Sequence, residues 1–178
     1  GAAIFTAAYD RASSSFQLEK RARNQEDAPA FVRSLRAPVA RLSADNTEQK
    51  LLGVSPRGVL WRWSLLDGEA LERWPLGGQR SRFAGASEAL EWVAILEPGA
   101  NELRVWRTED GFLYQAYSWP DEVAICDGRA SARAFVCADS DFLRWIPLKP
   151  RRSVRTQPHG FARVDGVSFS PQSSHIAI

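Results

Sequence analysis

The chain has no methionine among its 178 residues, and only two histidines, His159 and His175. Its only cysteines are Cys126 and Cys137, and its only lysines are Lys20, Lys50 and Lys149. Each shortage narrows the field. Two cysteines cannot make a disulfide-dense scaffold, and no Cys/His spacing suits zinc. The two histidines fall into no Ser/His/Asp or Cys/His order that would activate a nucleophile. Gly77-Gly78 is not followed by the Gly-Lys-Ser/Thr of a phosphate loop, and the Ser-x-Asp-x-Gly-x-Thr-Trp box of sialidases is missing. Acidic residues are scattered without paired spacing. No apolar run approaches the roughly 20 residues of a membrane-spanning helix, and no basic segment leads into an apolar one as in a signal peptide. The expectation is a chain without catalysis, cofactor or metal, in an intracellular setting. The missing methionine, with a strand pattern running to Ile178, predicts a segment of a longer protein.

What is present is an ordinary globular composition. Hydrophobic residues make up 44% and charged residues 25%, which excludes a disordered chain. The net charge of +2 is too small to imply nucleic acid by itself. Arginine dominates the 23 basic residues, a bias that coding composition explains more simply than selection for paired contacts.

The organising pattern is a tryptophan hairpin. Residues 58–71 alternate apolar and polar side chains into Trp63, turn at Asp67-Gly68 and leave in a second apolar run. Residues 101–113 repeat the alternation, with Trp106 and Asp110-Gly111, and residues 141–146 repeat the strand, with Trp145. Trp63 and Trp106 are 43 residues apart, as are Asp67 and Asp110, and Trp145 follows Trp106 by 39. One tryptophan hairpin per 40–45 residues predicts an all-β propeller built of four-stranded antiparallel blades.

In chain order, residues 4–20 read as two strands around the turn at Asp10-Arg11-Ala12. Residues 21–36, charged and poorly patterned, read as a surface connection with one helical turn. Blades are expected over residues 38–76, 77–120 and 121–157. The third has a weakly marked last strand near Val154. Residues 165–178 supply two further strands. Cys126 and Cys137 fall on neighbouring strands of one blade, where two buried reduced thiols are expected in preference to a bridge.

Val167-Ser168-Phe169-Ser170-Pro171 through Ile176-Ala177 resembles the first strand, turn and second strand of a WD-repeat blade, and the tandem tryptophan hairpins are similar to the third and fourth strands of that family. The tryptophans are followed by Ser64, Arg107 and Ile146 instead of aspartate, and no Gly-His pair opens a blade. A degenerate WD-repeat propeller is therefore implied, held by apolar packing and ladder bonds without the family's buried polar network. The resemblance implies a non-catalytic scaffold binding protein partners within a larger assembly. It also implies a ring of about four blades closed by sharing one blade between the termini. The competing reading is an incomplete ring finished by the parent chain or by another copy.

Trp63, Trp106 and Trp145 share one repeat position and are expected in the core. Trp61, Trp74, Trp92 and Trp119 are off that register. Trp119, beside Pro120, is the favoured example of an exposed contact, with a structural role as the leading alternative. Arg151, Arg152 and Arg155 belong to the one basic cluster, residues 149–155. They are candidates for an acidic partner, RNA or phospholipid, though no aromatic interleaves with them to stack bases. A propeller with a small-molecule or catalytic site at its axis is the remaining alternative.

Overall fold

The computed structural model describes residues 3–11, 15–22, 31–35, 38–45, 50–129, 133–148, 153–170 and 176–178. Among these, all regular structure is strand, apart from one 3-10 turn at Pro98–Ala100. The chain divides into two compact units, Gly1–Pro75 and Leu76–Ile178.

The first unit holds two antiparallel sheets. β1 (Ala3–Asp10), β2 (Ser15–Ala22) and β3 (Phe31–Leu35) form one; β4 (Arg41–Asp45), β5 (Lys50–Val54), β6 (Val59–Ser64) and β7 (Ala70–Pro75) form a four-stranded meander. Leu18 meets Leu51, Trp63 and Leu65 in a core cluster, with Phe5, Leu35 and Trp61 packed around it. Lys20 Nζ donates to the Leu65 carbonyl at 2.6 Å. β3 corrects the expected surface connection over residues 21–36: its backbone pairs with β2 from Phe16↔Leu35 to Lys20↔Phe31. The helical turn expected within this stretch falls on residues 23–30, outside the described residues.

The second unit contains two more meanders, β8 (Arg82–Ser87) to β11 (Phe112–Ser118) by way of β9 (Trp92–Glu97) and β10 (Glu102–Arg107), and β12 (Ile125–Arg129) to β15 (Arg155–Pro158) by way of β13 (Ala134–Ala138) and β14 (Phe142–Pro147). The first strands of the two meanders, β8 and β12, pair in parallel through Cys126↔Gly85, Asp127↔Ala86 and Gly128↔Ser87, giving the strand order β11-β10-β9-β8-β12-β13-β14-β15. Neighbouring meanders that run their first strands side by side and parallel are the arrangement of adjacent propeller blades. The backbone approach requires Gly85, since a Cβ there would lie 1.9 Å from the Cys126 carbonyl oxygen. A two-stranded hairpin, β16 (Ser168–Phe169) and β17 (Ile176–Ala177), forms a separate sheet, with β16 beside β12. Phe169 N donates to Asp127 Oδ2 at 2.9 Å and Arg129 Nη1 to the Ser170 carbonyl at 2.9 Å. His175 and the preceding four residues lie outside the described set.

This stacking explains the sequence pattern. In β13 all five residues are buried. Phe135 and Cys137 join Leu96, Leu103, Trp119 and Ile146 in one core cluster, while Ala134 and Val136 join Phe169 and Trp145 in another. A strand covered on both faces loses its alternation and reads as a continuous apolar run. The two Asp-Gly turns owe their 43-residue spacing to the same design. Gly68 and Gly111 take φ of 72° and 65°, a region that favours glycine. Asp67 Oδ1 accepts from Glu69 N at 3.0 Å, and Asp110 Oδ1 from Phe112 N at 3.2 Å.

Cys126 and Cys137 are bonded to each other, which corrects the expected pair of free thiols. β12 begins at Ile125 instead of Glu122, and the resulting register sets Cys126 directly opposite Cys137. Closing a loop with an 11-residue separation restricts the unfolded chain by on the order of 3 kcal/mol in the chain-entropy description.

Candidate functional site

The most elaborate polar structure lies at the β13–β14 turn. Sequence chemistry dictates it: Asp139-Ser140-Asp141 follows a fully apolar strand, and an aspartate there can hydrogen-bond the backbone ahead of it and set the turn. Asp139 is buried, with 4% of its surface exposed. Its Oδ1 accepts from the backbone N–H of Asp141 at 3.0 Å and of Phe142 at 2.7 Å. Its Oδ2 receives Arg144 Nε and Nη2, both at 2.7 Å. The Arg144 guanidinium lies 4.9 Å over the Trp119 ring and 5.6 Å from Phe142, so the charge is paired on one side and faces aromatic rings elsewhere. Trp119 Nε1 donates to the Val123 carbonyl at 3.0 Å.

A second carboxylate fastens the neighbouring loop. Asp121 Oδ1 accepts from Val123 N at 2.9 Å and Oδ2 from Ser140 N at 2.8 Å. Burial pushes its carboxyl up, but hydrogen bonds from the Ser140 hydroxyl and from the Ser140, Val123 and Glu122 backbone outweigh this and hold it below the usual carboxylate range. Stability from that depression is present above the unfolded carboxylate pKa and is lost as pH falls through the folded one. His159 ties in the third loop. Its N–H donates to the Asp141 carbonyl at 3.1 Å. Its Nδ1 accepts from Phe161 N at 3.0 Å, which leaves the ring proton on Nε2, 3.2 Å from the Asp139 carbonyl oxygen.

Between these loops lies an open cavity of about 460 Å³, lined by Val123, Ile125, Ala138 to Ser140 and Ala162 to Asp165. Arg163 and Asp165 pair across 2.6 Å at its mouth. Val123, which lines it, is 47% exposed, and Phe142 and Phe161, on the adjoining segments, are 36% and 52% exposed. The arrangement is thus a rigid polar base carrying apolar side chains into solvent. Among the described residues, no three His, Cys, Asp or Glu side chains gather as metal ligands.

The sequence-predicted residues fall in several places. Trp63 is buried at 3% and stacks on Trp61, 6.1 Å between ring centres. Trp145 is half-buried and meets Phe169 edge to face at 5.2 Å. Trp106 is half-buried, and its Nε1 has no hydrogen-bond partner among the described residues. Of the off-register tryptophans, Trp61 lies under Arg73 and Trp74 under Arg62, while Trp92 meets Tyr114. Trp119 is not the exposed anchor expected: at 1% exposure it is core, because the next residues fold back and satisfy its indole N–H. Arg155 is exposed on β15, opposite Trp145, whereas Arg151 and Arg152 lie outside the described residues. Beside the apolar packing and ladder bonds expected to hold the blades, the structure has buried polar groups of its own. Besides Asp139, buried Ser55 and Ser87 cap their own turns, accepting from Val59 N and Trp92 N, both at 3.0 Å. Asp121, Asp139, Phe142 and Phe161 were missed. The available signal was the Asx turn at residues 139–142.

No protein-family model matches the chain, and no curated protein is similar to it. Among solved structures, the chain is similar to one titled "Dihydro-heme d1 dehydrogenase NirN in complex with DHE", with a TM-score of 0.67 and 15% sequence identity over 98% of this chain. The chain spans 38% of that protein's length. At this identity the likeness concerns the fold alone, which is of the β-propeller type. No WD-repeat match accompanies it.

Proposed function

We propose that this chain is a segment of a non-catalytic β-propeller, degenerate in the WD-repeat manner, that presents one loop face to protein partners. The observation that carries this reading is the exposure of Val123, Phe142 and Phe161 above the pinned Asp139–Arg144 base. Apolar side chains held in water on a rigid support cost little entropy to bury, and such anchors concentrate binding energy. The larger ring would be completed by the parent chain or by another copy. The Cys126–Cys137 bridge is of the kind that persists in oxidising compartments, a reading that stands beside the intracellular setting expected above.

The test is affinity capture from native extract with the unaltered chain and with the double variant Phe142→Ser/Phe161→Ser. The expected result is a stable protein partner held by the first and lost, by about tenfold or more in yield, with the second. The same partners recovered by both would contradict the reading.

A second reading rests on the 460 Å³ cavity and on the solved neighbour, whose title describes a dehydrogenase in complex with DHE. On this reading the parent ring holds a small molecule. The third, RNA or phospholipid at residues 149–155, has only exposed Arg155 among the described residues to support it.

A further inference from the structure

The strands of a blade-like meander have fixed places. In β8 to β11 and in β12 to β15 the first strand is innermost, paired in parallel with its neighbour's first strand, and the last is an outer edge. A short link leads from the last strand into the next first strand, from Ser118 to Ile125. β3 leads into β4 in the same way, from Leu35 to Arg41, so β3 holds a last place. Counting back through the pairing, β2 is a third strand and β1 a second. One contact agrees: β1 lies beside β4 as β9, a second strand, lies beside β12. Among the described residues, the sheet of β1, β2 and β3 therefore lacks an innermost strand. This is also why it stays separate from the sheet of β4 to β7, whereas β8 and β12 join their two meanders into one.

The open edge of β1 is unguarded. Exposed strand edges are normally blunted by charge, proline or a bulge. Outer strand β3 carries Arg33 and β15 carries Arg155 and Pro158. β7 has Glu72, Arg73 and Pro75, and β11 is paired through a register shift at Val105/Trp106. From Ala3 to Tyr9, β1 has neither charge nor proline, and it pairs with β2 without any shift. Phe5 anchors it on the core cluster of Leu18 and Leu51.

We propose that the open edge of β1 takes one extended strand of small and apolar residues, paired with it backbone to backbone. In such strand addition the main-chain bonds supply affinity and alternate side chains supply fit. The incoming strand carries glycine or alanine where it approaches β4, as β8 carries Gly85 where it approaches β12. A second copy would have to bring a whole sheet to an edge that β4 flanks. The intact hairpin of β16 and β17 would bring two strands to a place for one. The inference rests on the reading of the chain as a propeller segment and names what completes its first blade.

The probe is a synthetic peptide with the sequence of residues 81–88, which contains the molecule's own inner strand β8. Its Ala84→Pro/Ala86→Pro form, which lacks two ladder donors, is the control. Amide exchange of the isotope-labelled full chain is followed by nuclear magnetic resonance as each peptide is added. Alternate residues of an antiparallel strand bond toward opposite edges. Every second amide of β1, those not bonded to β2, should therefore slow by about tenfold with the first peptide and not with the control. No slowing in β1, or equal slowing by the proline form, overturns the inference. Protection at β7, β11 or β15 in place of β1 marks general edge stickiness and overturns it as well. Slowing that grows with protein concentration and needs no peptide assigns the edge to a second copy, which also overturns it. None of these outcomes touches the parallel pairing of β8 with β12, so the propeller reading stands or falls separately.

Discussion

Gly85→Ala is expected to destabilise the fold by about 3 kcal/mol, the upper end of the usual range for adding atoms to a packed interior. A single methyl group rarely does this. Here the new Cβ would sit 1.9 Å from the carbonyl oxygen of Cys126 and 2.5 Å from its carbonyl carbon. Both are backbone atoms, so no rotamer change can make room. β8 and β12 must separate, which breaks the three paired positions that join the two meanders. Gly166→Ala is the matched comparison, since nothing lies within 4 Å of its added Cβ, and it should stay within about 0.5 kcal/mol of the parent. Urea unfolding of the two variants checks the pair. Equal midpoints would mean that the strands do not approach at Gly85.

The second large effect is expected at Asp139. Replacing it with alanine removes four hydrogen bonds and leaves the Arg144 guanidinium, 20% exposed, without its counter-charge. Breaking a buried ion pair by deleting one partner costs about 3–5 kcal/mol, because the survivor cannot be rehydrated where it stands. The Ser55 and Ser87 turns offer the internal contrast. Each uses a neutral hydroxyl for one backbone bond, so Ser55→Ala and Ser87→Ala should cost only about 1 kcal/mol. Thermal unfolding ranks the three. Asp139→Ala no worse than the serine variants would mean that the carboxylate is solvated and does not organise the turn.

The all-β class and the blade-like repeat were legible because they rest on local chemistry. Asp-Gly turns need a positive φ at one residue, and the strands beside them alternate, so residues 58–71 and 101–113 carry their own instructions. β3 was not legible. Its five residues lack alternation, and pairing with β2, with Leu35 packed on the core, holds them in extended form. The disulfide depended on a three-residue displacement of the start of β12, which no propensity fixes. A slip of one residue would send the two cysteines to opposite faces. Trp119 was misread for a related reason. A tryptophan before proline in a polar loop looks exposed until the chain returns, two turns later, with Arg144 to cover the ring. The candidate site joins residues 121–123, 139–144 and 159–165, and only the stacking of strands brings those three loops together.

The central claim is that neighbouring blades run their first strands parallel and in contact, with β8 beside β12. Backbone nuclear Overhauser contacts in isotope-labelled protein test it most directly. The account predicts cross-peaks linking Gly85 to Cys126 and Ala86 to Asp127 in the slanted parallel pattern. Cross-peaks pairing β8 with β11, or an antiparallel pattern across β8 and β12, would contradict it.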